Sequence, residues 1–209
     1  MTDKKKEDEL TRELQKWLES QGYPLEMTVA LAFQKAGFTV SLSDFYEDPD
    51  TGKLREIDVT ALRWSDFNKP VALQVCCRIE CKLARDKPWV IFVSQAQPEL
   101  FLPFNLLCSR VYRVFLIEAY KQADFRANLS SLSLFGPGYV GHGITQGLTS
   151  GRDVPYKAVM SSVKASVDRV LQFDKDNYLP RSGTRLCCVV VPIIVIDGRL
   201  FECLISDSG

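Results

Sequence analysis

Residues 71–83 read VALQVCCRIECKL, an apolar run that ends with Glu80 and Lys82 two positions apart. A run of this length and composition predicts a buried β-strand. Side chains alternate between the two faces of a strand, so we expect Glu80 and Lys82 to point from the same face. Burying an ion without a partner is expensive. The pair therefore indicates that this strand has a use for a carboxylate and an ammonium side by side.

The same alternation assigns the other side chains of this strand to its two faces. Gln74, Cys76 and Arg78 share the face of Glu80, which makes Arg78 a candidate for contact with a phosphate. Cys81 is expected to point the other way, into the core. The strand thus predicts one polar, functional face and one apolar face.

Composition is that of an ordinary globular protein of 209 residues, with 46% hydrophobic and 25% charged residues, and one domain is the expectation. Lys+Arg and Asp+Glu are both 26, so the formal net charge is zero. Binding to nucleic acid would therefore need a local basic patch or a divalent metal, because the sequence-independent attraction of a basic protein is missing.

Cysteine usage and the N-terminus both indicate a cytoplasmic protein. The seven cysteines are odd in number and lack paired CxxC spacing, which predicts small buried hydrophobes in a reducing compartment. The opening MTDKKKEDEL has no apolar core of a signal peptide, and no run of about twenty apolar residues predicts a membrane span. We expect no membrane partner.

The N-terminal half predicts two helices followed by a hairpin. Residues 3–20 space apolar side chains at three and four, as an amphipathic helix does, and residues 25–36 repeat the pattern with Glu26 in the first turn. Two β-type segments, 38–47 and 53–64, flank the strong turn sequence DPDTG. A favourable charge at a helix N-terminus is the plain interpretation of Glu26.

Strand alternation in the second hairpin arm predicts two faces. One face carries Glu56, Asp58, Thr60 and Leu62, and the other carries Ile57, Val59, Ala61 and Arg63. Asp58 stands out because the surrounding sequence, IDVTAL, should be buried.

The rest of the chain is less regular. The sequence predicts strands over 89–94, 109–117 and 185–196, and a closing hairpin that turns at 197–198 into 200–205. It predicts a helix over 153–173 with a valine stripe, and a short helix or irregular arm over 118–128. Residues 95–107 are ambiguous. The glycine-rich residues 136–151 predict a long flexible loop that holds His142, the only histidine. Lys157 lies on the exposed side of the predicted helix, where it could face a phosphate backbone.

Four charged residues now occur in a meaningful order. Glu26 lies in a helix, Asp58 follows in REIDVTA on a hairpin arm, and Glu80 and Lys82 end the next strand in RIECK. Two neighbouring strands could bring Asp58 and Glu80 to one divalent cation, for which oxygen ligands are suited. The arrangement resembles the PD-(D/E)xK superfamily of nucleases, also called restriction-endonuclease-like.

This resemblance covers mainly residues 22–94, with 153–196 supplying a later helix and strand. It implies an α/β fold with an α-β-β-β-α-β core, in which a central mixed sheet is flanked by helices. Residues 1–21 are then an N-terminal amphipathic helix, and residues 22–209 are a single domain with an insertion around 95–152. One departure is Ile57, which precedes the aspartate where the family's motif has proline.

The resemblance also implies an activity, the hydrolysis of phosphodiester bonds with Mg²⁺ or Mn²⁺. DNA is the expected substrate, and restriction or anti-phage defence is the expected biological role. Asp58 and Glu80 would bind the metal. Lys82 would position or activate the attacking water, and Glu26 would bind a second metal or a water ligand of the first.

Secondary candidates for contact with the substrate are Arg78, Lys157 and His142. Members of this superfamily often act as homodimers, and a companion protein supplying recognition is the other arrangement considered.

Two other interpretations compete with a nuclease. In the first, the chain keeps the fold without activity and binds nucleic acid or a protein partner; Asp58 is then a surface acid, and Glu80 and Lys82 form an ion pair at a sheet edge. Zero net charge and the lack of a separate DNA-reading domain are compatible with this view. In the second, a cysteine-based redox or metal protein, the purified protein would contain zinc or iron.

Overall fold

The computed structural model describes residues 2–95, 106–131, 139–149, 153–176 and 184–204. The helices are α1 Thr2–Gln21, α2 Tyr23–Lys35, α3 Arg110–Tyr120, α4 Ala123–Ser130 and α5 Val154–Asp176. The strands are β1 Thr39–Glu47, β2 Leu54–Trp64, β3 Val71–Gln95, β4 Leu107–Cys108, β5 Tyr139–Gln146 and β6 Arg185–Leu204. The fold is α/β, as the sequence predicts, with helices around a mixed sheet.

The sheet is organised around β3. Its strand order is β1-β2-β3-β6-β4, and β5 pairs with β3 off this path. The first part of β3 lies between antiparallel β2 and parallel β6, and its last part lies between β5 and the end of β6. The stretch identified from the sequence is therefore the central strand, which explains its long apolar run.

Helices α2 and α5 cover opposite faces of the sheet. On the α2 side, Val29 packs into a cluster with Val59, Cys77 and Cys81, so Cys81 points into the core as predicted. On the α5 side, Phe173 packs with residues that include Cys76. Along the chain, α2 is followed by the three antiparallel strands β1 to β3, and α5 is followed by β6, which is parallel to β3.

Small side chains bring α5 close to the sheet. Its buried residues are Pro155, Ala158, Ser162, Ala165, Ser166, Asp168 and Phe173. The predicted valine stripe is only partly buried, and Leu171, assigned to that stripe, is 55% exposed. Short side chains let the helix backbone approach β3, so that serine hydroxyls of α5 can reach the strand.

The predictions for the N-terminal region are confirmed at the level of elements. The two helices and the hairpin form as α1, α2, β1 and β2. The apolar side of α1 lies open, with Leu10 65% and Trp17 52% exposed.

Among the described residues, none of the helices is both long enough and apolar enough to cross a membrane.

Two predicted elements are wrong in type. Residues 109–117, predicted as a strand, lie largely in α3, where Leu116 packs into a buried cluster with Cys108 and Val189. The β-branched and aromatic residues favour a strand locally, and tertiary packing overrides that preference. The described part of the glycine-rich segment contains β5 rather than only a loop, while residues 136–138 and 150–151 lie outside the described residues.

The segments predicted as separate strands around residue 86 are one strand, β3, with a register shift against β6 between Ala84 and Trp89. The predicted turn at 197–198 is also wrong. Strand β6 continues through Asp197 and Gly198 to Leu204, because pairing with β3 extends over almost its whole length. Residues 205–209 lie outside the described residues. So do residues 96–105, which make up most of the stretch 95–107 that the sequence leaves ambiguous.

Glycine is needed at position 198 for close packing of two strands and not for a turn. A Cβ atom at this position would lie 2.4 Å from the backbone oxygen of Ala84 and 2.6 Å from its carbonyl carbon. Real Cβ atoms do not approach backbone atoms this closely, so β3 and β6 would have to separate. The glycine therefore permits the close strand contact next to the register shift.

Replacing Gly198 with alanine is expected to lower the free energy of unfolding by about 1–3 kcal/mol, because neither backbone can move without breaking paired strands. Chemical denaturation followed by circular dichroism measures this change. Gly141→Ala is the matched control, since a Cβ there meets nothing within 4 Å. Equal stability of the two variants would contradict the close contact.

Candidate active site

Strands β2 and β3 separate beside Asp58. The antiparallel backbone pairing of these two strands ends at Val59 and Ile79. The backbone N–H of Cys81, two residues farther along β3, donates instead to Asp58 Oδ2 at 2.6 Å. The Asp58 carboxylate thus replaces a backbone carbonyl at the end of the ladder, and this fixes it beside Glu80 and Lys82.

A break in strand alternation also occurs at Asp58. Val59 packs on the α2 side of the sheet, whereas Ile57, two residues earlier, packs with Tyr46 and with Ala165 of α5. The β1–β2 pairing skips Ser43 and Asp58, and the φ of Ser43, 49°, falls in the left-handed region that is costly for non-glycine residues. The predicted alternation of β2 is therefore wrong at Ile57.

Glu80, Lys82 and Asp58 form a connected group. Lys82 Nζ lies 2.6 Å from Glu80 Oε1 and 3.7 Å from Asp58 Oδ2. It also donates to the carbonyl oxygen of Cys81 at 3.1 Å. The side chains of Glu80, Asp58 and Lys82 are 10%, 20% and 29% exposed, so the group is shielded but open to solvent on one side.

Glu26 joins this group from the first turn of α2. Burial raises the pKa of its carboxyl group, and the negative charges of Asp58, Glu56 and Glu80 raise it further, while Lys82 lowers it. Burial likewise raises the pKa of Glu80; Lys82 and Ser161 oppose this rise and Asp58 adds to it. The acids are thus close enough to repel one another.

Lys82 is held in its charged form. Burial would lower its pKa, but the hydrogen bond and charge of Glu80, together with the charge of Asp58, raise the pKa above its usual value of 10.5. At neutral pH the side chain is an ammonium that donates hydrogen bonds. This favours the positioning and charge-stabilising role predicted for Lys82 over removal of a proton from water.

The guanidinium of Arg78 is buried and bonded to other residues of the protein. Its side chain is 3% exposed, and Nη1 lies 2.5 Å from Asp44 Oδ2 and 2.6 Å from Thr60 Oγ1. Its Nε donates to the carbonyl oxygen of Ala165. A guanidinium committed in this way joins β1, β2, β3 and α5. The guanidinium of Arg78 therefore has almost no exposed surface for contact with a phosphate.

The other two secondary candidates lie apart from each other. Lys157 is exposed on α5, one helical turn before Ser161, which contacts Glu80, so it lies on the helix side that leads to the site. His142 lies on β5, and its ring is hydrogen-bonded to Ser94. Ser94 is twelve residues beyond Lys82 on β3, about 30–40 Å along an extended strand, so His142 belongs to the other end of that strand.

Ser161 is the residue that the sequence interpretation missed. Its hydroxyl donates to Glu80 Oε2 at 3.0 Å. The next residue, Ser162, donates to the carbonyl oxygen of Arg78 at 2.8 Å. Serine is a weak helix former, so two adjacent serines in the middle of a helix were the available signal that side-chain hydroxyls are needed there.

The donor set suits a hard divalent cation. Asp58 and Glu80 offer carboxylate oxygens from adjacent strands, and Lys82 is the ammonium between them. Within the described residues, no three His, Cys, Asp or Glu side chains form a group that could hold a metal. Mg²⁺ commonly uses only one or two protein carboxylates, with water and substrate phosphate completing its shell, so Asp58 and Glu80 fit this ion.

Glu26→Gln is expected to raise stability at pH 7. Because the folded-state pKa of Glu26 lies above its ordinary value of 4.5, its stability contribution is full below that value and is lost as pH rises through the folded pKa. Since the group is partly exposed, we expect a gain of about 0.5 kcal/mol, or about 1–2 °C in Tm. The gain should vanish near pH 4, as differential scanning calorimetry at both pH values can show.

Glu9→Gln, which changes an exposed glutamate of α1, is the control and should leave Tm unchanged at both pH values. A lower Tm for Glu26→Gln at pH 7 would mean that the favourable helix-terminus charge outweighs repulsion among the acids.

Comparison of the chain with protein-family models, with curated proteins and with solved structures finds no match. What the site does must therefore be inferred from its own residues.

Proposed function

We propose that this protein is a metal-dependent nuclease with a restriction-endonuclease-like fold, which hydrolyses phosphodiester bonds in DNA with Mg²⁺ or Mn²⁺. Restriction or anti-phage defence is the proposed setting. Asp58 and Glu80 hold the cation, Lys82 positions the attacking water, and Glu26 supplies a further carboxylate.

The observation that carries the proposal is the charge balance of the site. Lys82 Nζ lies 2.6 Å from Glu80 and 3.7 Å from Asp58, and Glu26 of α2 is close enough to feel the charges of all three residues. One positive charge does not neutralise three carboxylates. Burial raises the pKa of Glu26, and the charges of Asp58, Glu56 and Glu80 raise it further. A divalent cation is the ligand that would remove this excess of negative charge.

The order of the elements supports the same proposal. In the proposed correspondence, helix α2, the three antiparallel strands β1 to β3, then α5 and parallel β6 are the α-β-β-β-α-β core of a PD-(D/E)xK fold. Asp58 on β2 and Glu80 and Lys82 on β3 occupy the strands on which that superfamily carries its motif. Under the same proposal, strands β4 and β5 with helices α3 and α4 are the insertion around residues 95–152.

Hydrolysis adds a water oxygen to phosphorus and breaks one ester P–O bond, while a proton from water ends on the leaving oxygen. A divalent cation held by Asp58 and Glu80 would supply Lewis-acid stabilisation of the charge on the phosphate. The Lys82 ammonium donates hydrogen bonds, so it can orient water and stabilise negative charge developing on the phosphate oxygens. We propose that Lys157, exposed one turn before Ser161, contacts the nucleic-acid backbone.

The test is a cleavage panel with the purified chain. Duplex DNA, single-stranded DNA and RNA of one sequence are incubated with Mg²⁺, with Mn²⁺ or with a chelator, and products are resolved on denaturing gels. Cleavage of DNA that requires the metal is the expected result. A chain that binds nucleic acid but cuts none of these substrates would instead support the non-enzymatic binding module.

A further inference from the structure

The two oxygens of the Glu80 carboxylate have separate partners. Oε1 lies 2.6 Å from Lys82 Nζ on the same strand, and Oε2 accepts a hydrogen bond from Ser161 Oγ of α5 at 3.0 Å. Glutamate has three rotatable side-chain bonds, so one contact alone would leave its carboxylate free to rotate. The second contact, from another element, fixes the orientation of the carboxylate group relative to Lys82.

Ser162, the neighbour of Ser161 on α5, attaches the helix to the sheet. Ser162 is 1% exposed and donates to the carbonyl oxygen of Arg78, two residues before Glu80 on β3. It also donates to the carbonyl oxygen of Ile193 on β6 at 3.3 Å. Adjacent serines therefore divide two tasks, because Ser162 attaches the helix to the sheet backbone and Ser161 contacts the reactive carboxylate.

We infer that Ser161 is a positioning residue, which orients the Glu80 carboxylate for cation binding and keeps Lys82 in register with it. The inference rests on the proposed nuclease function. A residue that only filled space against the strand would have neither effect.

The experiment compares Ser161→Ala with Ser161→Thr and Ser162→Ala in the full chain. Residues that orient metal ligands typically contribute about 10-fold to 100-fold in metal affinity or activity. Ser161→Ala is therefore expected to weaken Mn²⁺ binding, measured by calorimetry without nucleic acid, by at least about 10-fold. Ser161→Thr keeps the hydroxyl and should restore binding to near the wild-type value.

Ser162→Ala is the matched structural control, one residue away on the same helix. It removes a buried hydrogen bond to backbone, so we expect Tm to fall by about 2–4 °C while the Mn²⁺ affinity stays within about 3-fold of wild type. Ser161→Ala also removes one hydrogen bond, so we expect a fall in Tm of at least similar size, but with weakened Mn²⁺ binding.

Failures of the two proposals can be told apart. A wild-type chain that binds Mn²⁺ and cuts DNA, with Ser161→Ala equal to it in both, would overturn the role of Ser161 and leave the nuclease proposal standing. A wild-type chain that neither binds Mn²⁺ nor cuts would overturn both. Weakened binding in Ser161→Ala that threonine does not rescue would also overturn the role, because the hydroxyl would then not be responsible.

Discussion

Asp58→Asn is expected to abolish metal-dependent cleavage while the chain stays folded. Asparagine keeps an oxygen that can accept the Cys81 N–H, so the end of the β2–β3 ladder survives, but the negative charge is lost. Losing several kcal/mol of transition-state charge stabilisation corresponds to a fall in kcat of at least about 10³-fold. Single-turnover cleavage of a labelled duplex measures this rate.

Stability distinguishes the loss of a catalytic charge from misfolding. Because Asp58 repels Glu26 and Glu80, its neutralisation should leave Tm unchanged or slightly higher. Asp66→Asn is the control, since Asp66 lies in the loop beyond the far end of β2 and also accepts a local backbone hydrogen bond. Cleavage by Asp58→Asn at the rate of Asp66→Asn would refute the assignment of the site.

Asp44→Asn is expected to destabilise the protein more than any other single charge removal discussed. The Arg78 guanidinium is almost fully buried, and Asp44 is its ion-pair partner at 2.5 Å. Removing one partner of a buried pair leaves an uncompensated charge, which typically costs about 3–5 kcal/mol. Asp44 is itself 39% exposed, so the lower end, about 3 kcal/mol or about 6–12 °C in Tm, is the expected loss.

The pH dependence of this loss has a definite sign. Burial raises the pKa of Asp44, but hydrogen bonds from Thr60 and Arg78 and the charge of Arg78 outweigh it, and the pKa lies below its ordinary value of 3.8. Its contribution to stability is therefore present above that value and is lost as pH falls through the folded pKa. The difference between wild type and Asp44→Asn should shrink below about pH 4.

Urea denaturation at pH 7 and pH 3 measures both effects, with the exposed Asp86 of β3 as control through Asp86→Asn. If Asp44→Asn costs no more than that control at pH 7, Arg78 must be stabilised by its other contacts, such as those to Thr60 and Ala165.

Several elements could be predicted because their signals are local. The helical spacing of residues 3–20 and 25–36, the turn sequence DPDTG and the alternation of residues 71–83 each depend on neighbours in the chain, and the structure forms the corresponding helices and strands. Where pairing between distant segments decided the outcome, prediction failed. Residues 197–198 resemble a turn in isolation, but the parallel contact with β3 keeps them in a strand.

The same division holds for the candidate site. Glu80 and Lys82 share a face because strand alternation requires it, and the sequence predicts this without further knowledge. Ser161 lies 81 residues from Glu80 and Asp44 lies 34 residues from Arg78, so no local pattern links them. A hydrogen bond between such residues becomes visible only when packing has brought the elements together.

From the sequence alone, residues 71–83 were determined to be a buried strand that carries an acid and an ammonium on one face, because side-chain period and hydrophobicity are local properties. Only the tertiary structure decided that this strand is the centre of the sheet, that Asp58 ends its ladder with β2, and that Arg78 is buried in an ion pair. Those outcomes depend on which surfaces bury one another and which charges then meet, and burial is a property of the whole fold.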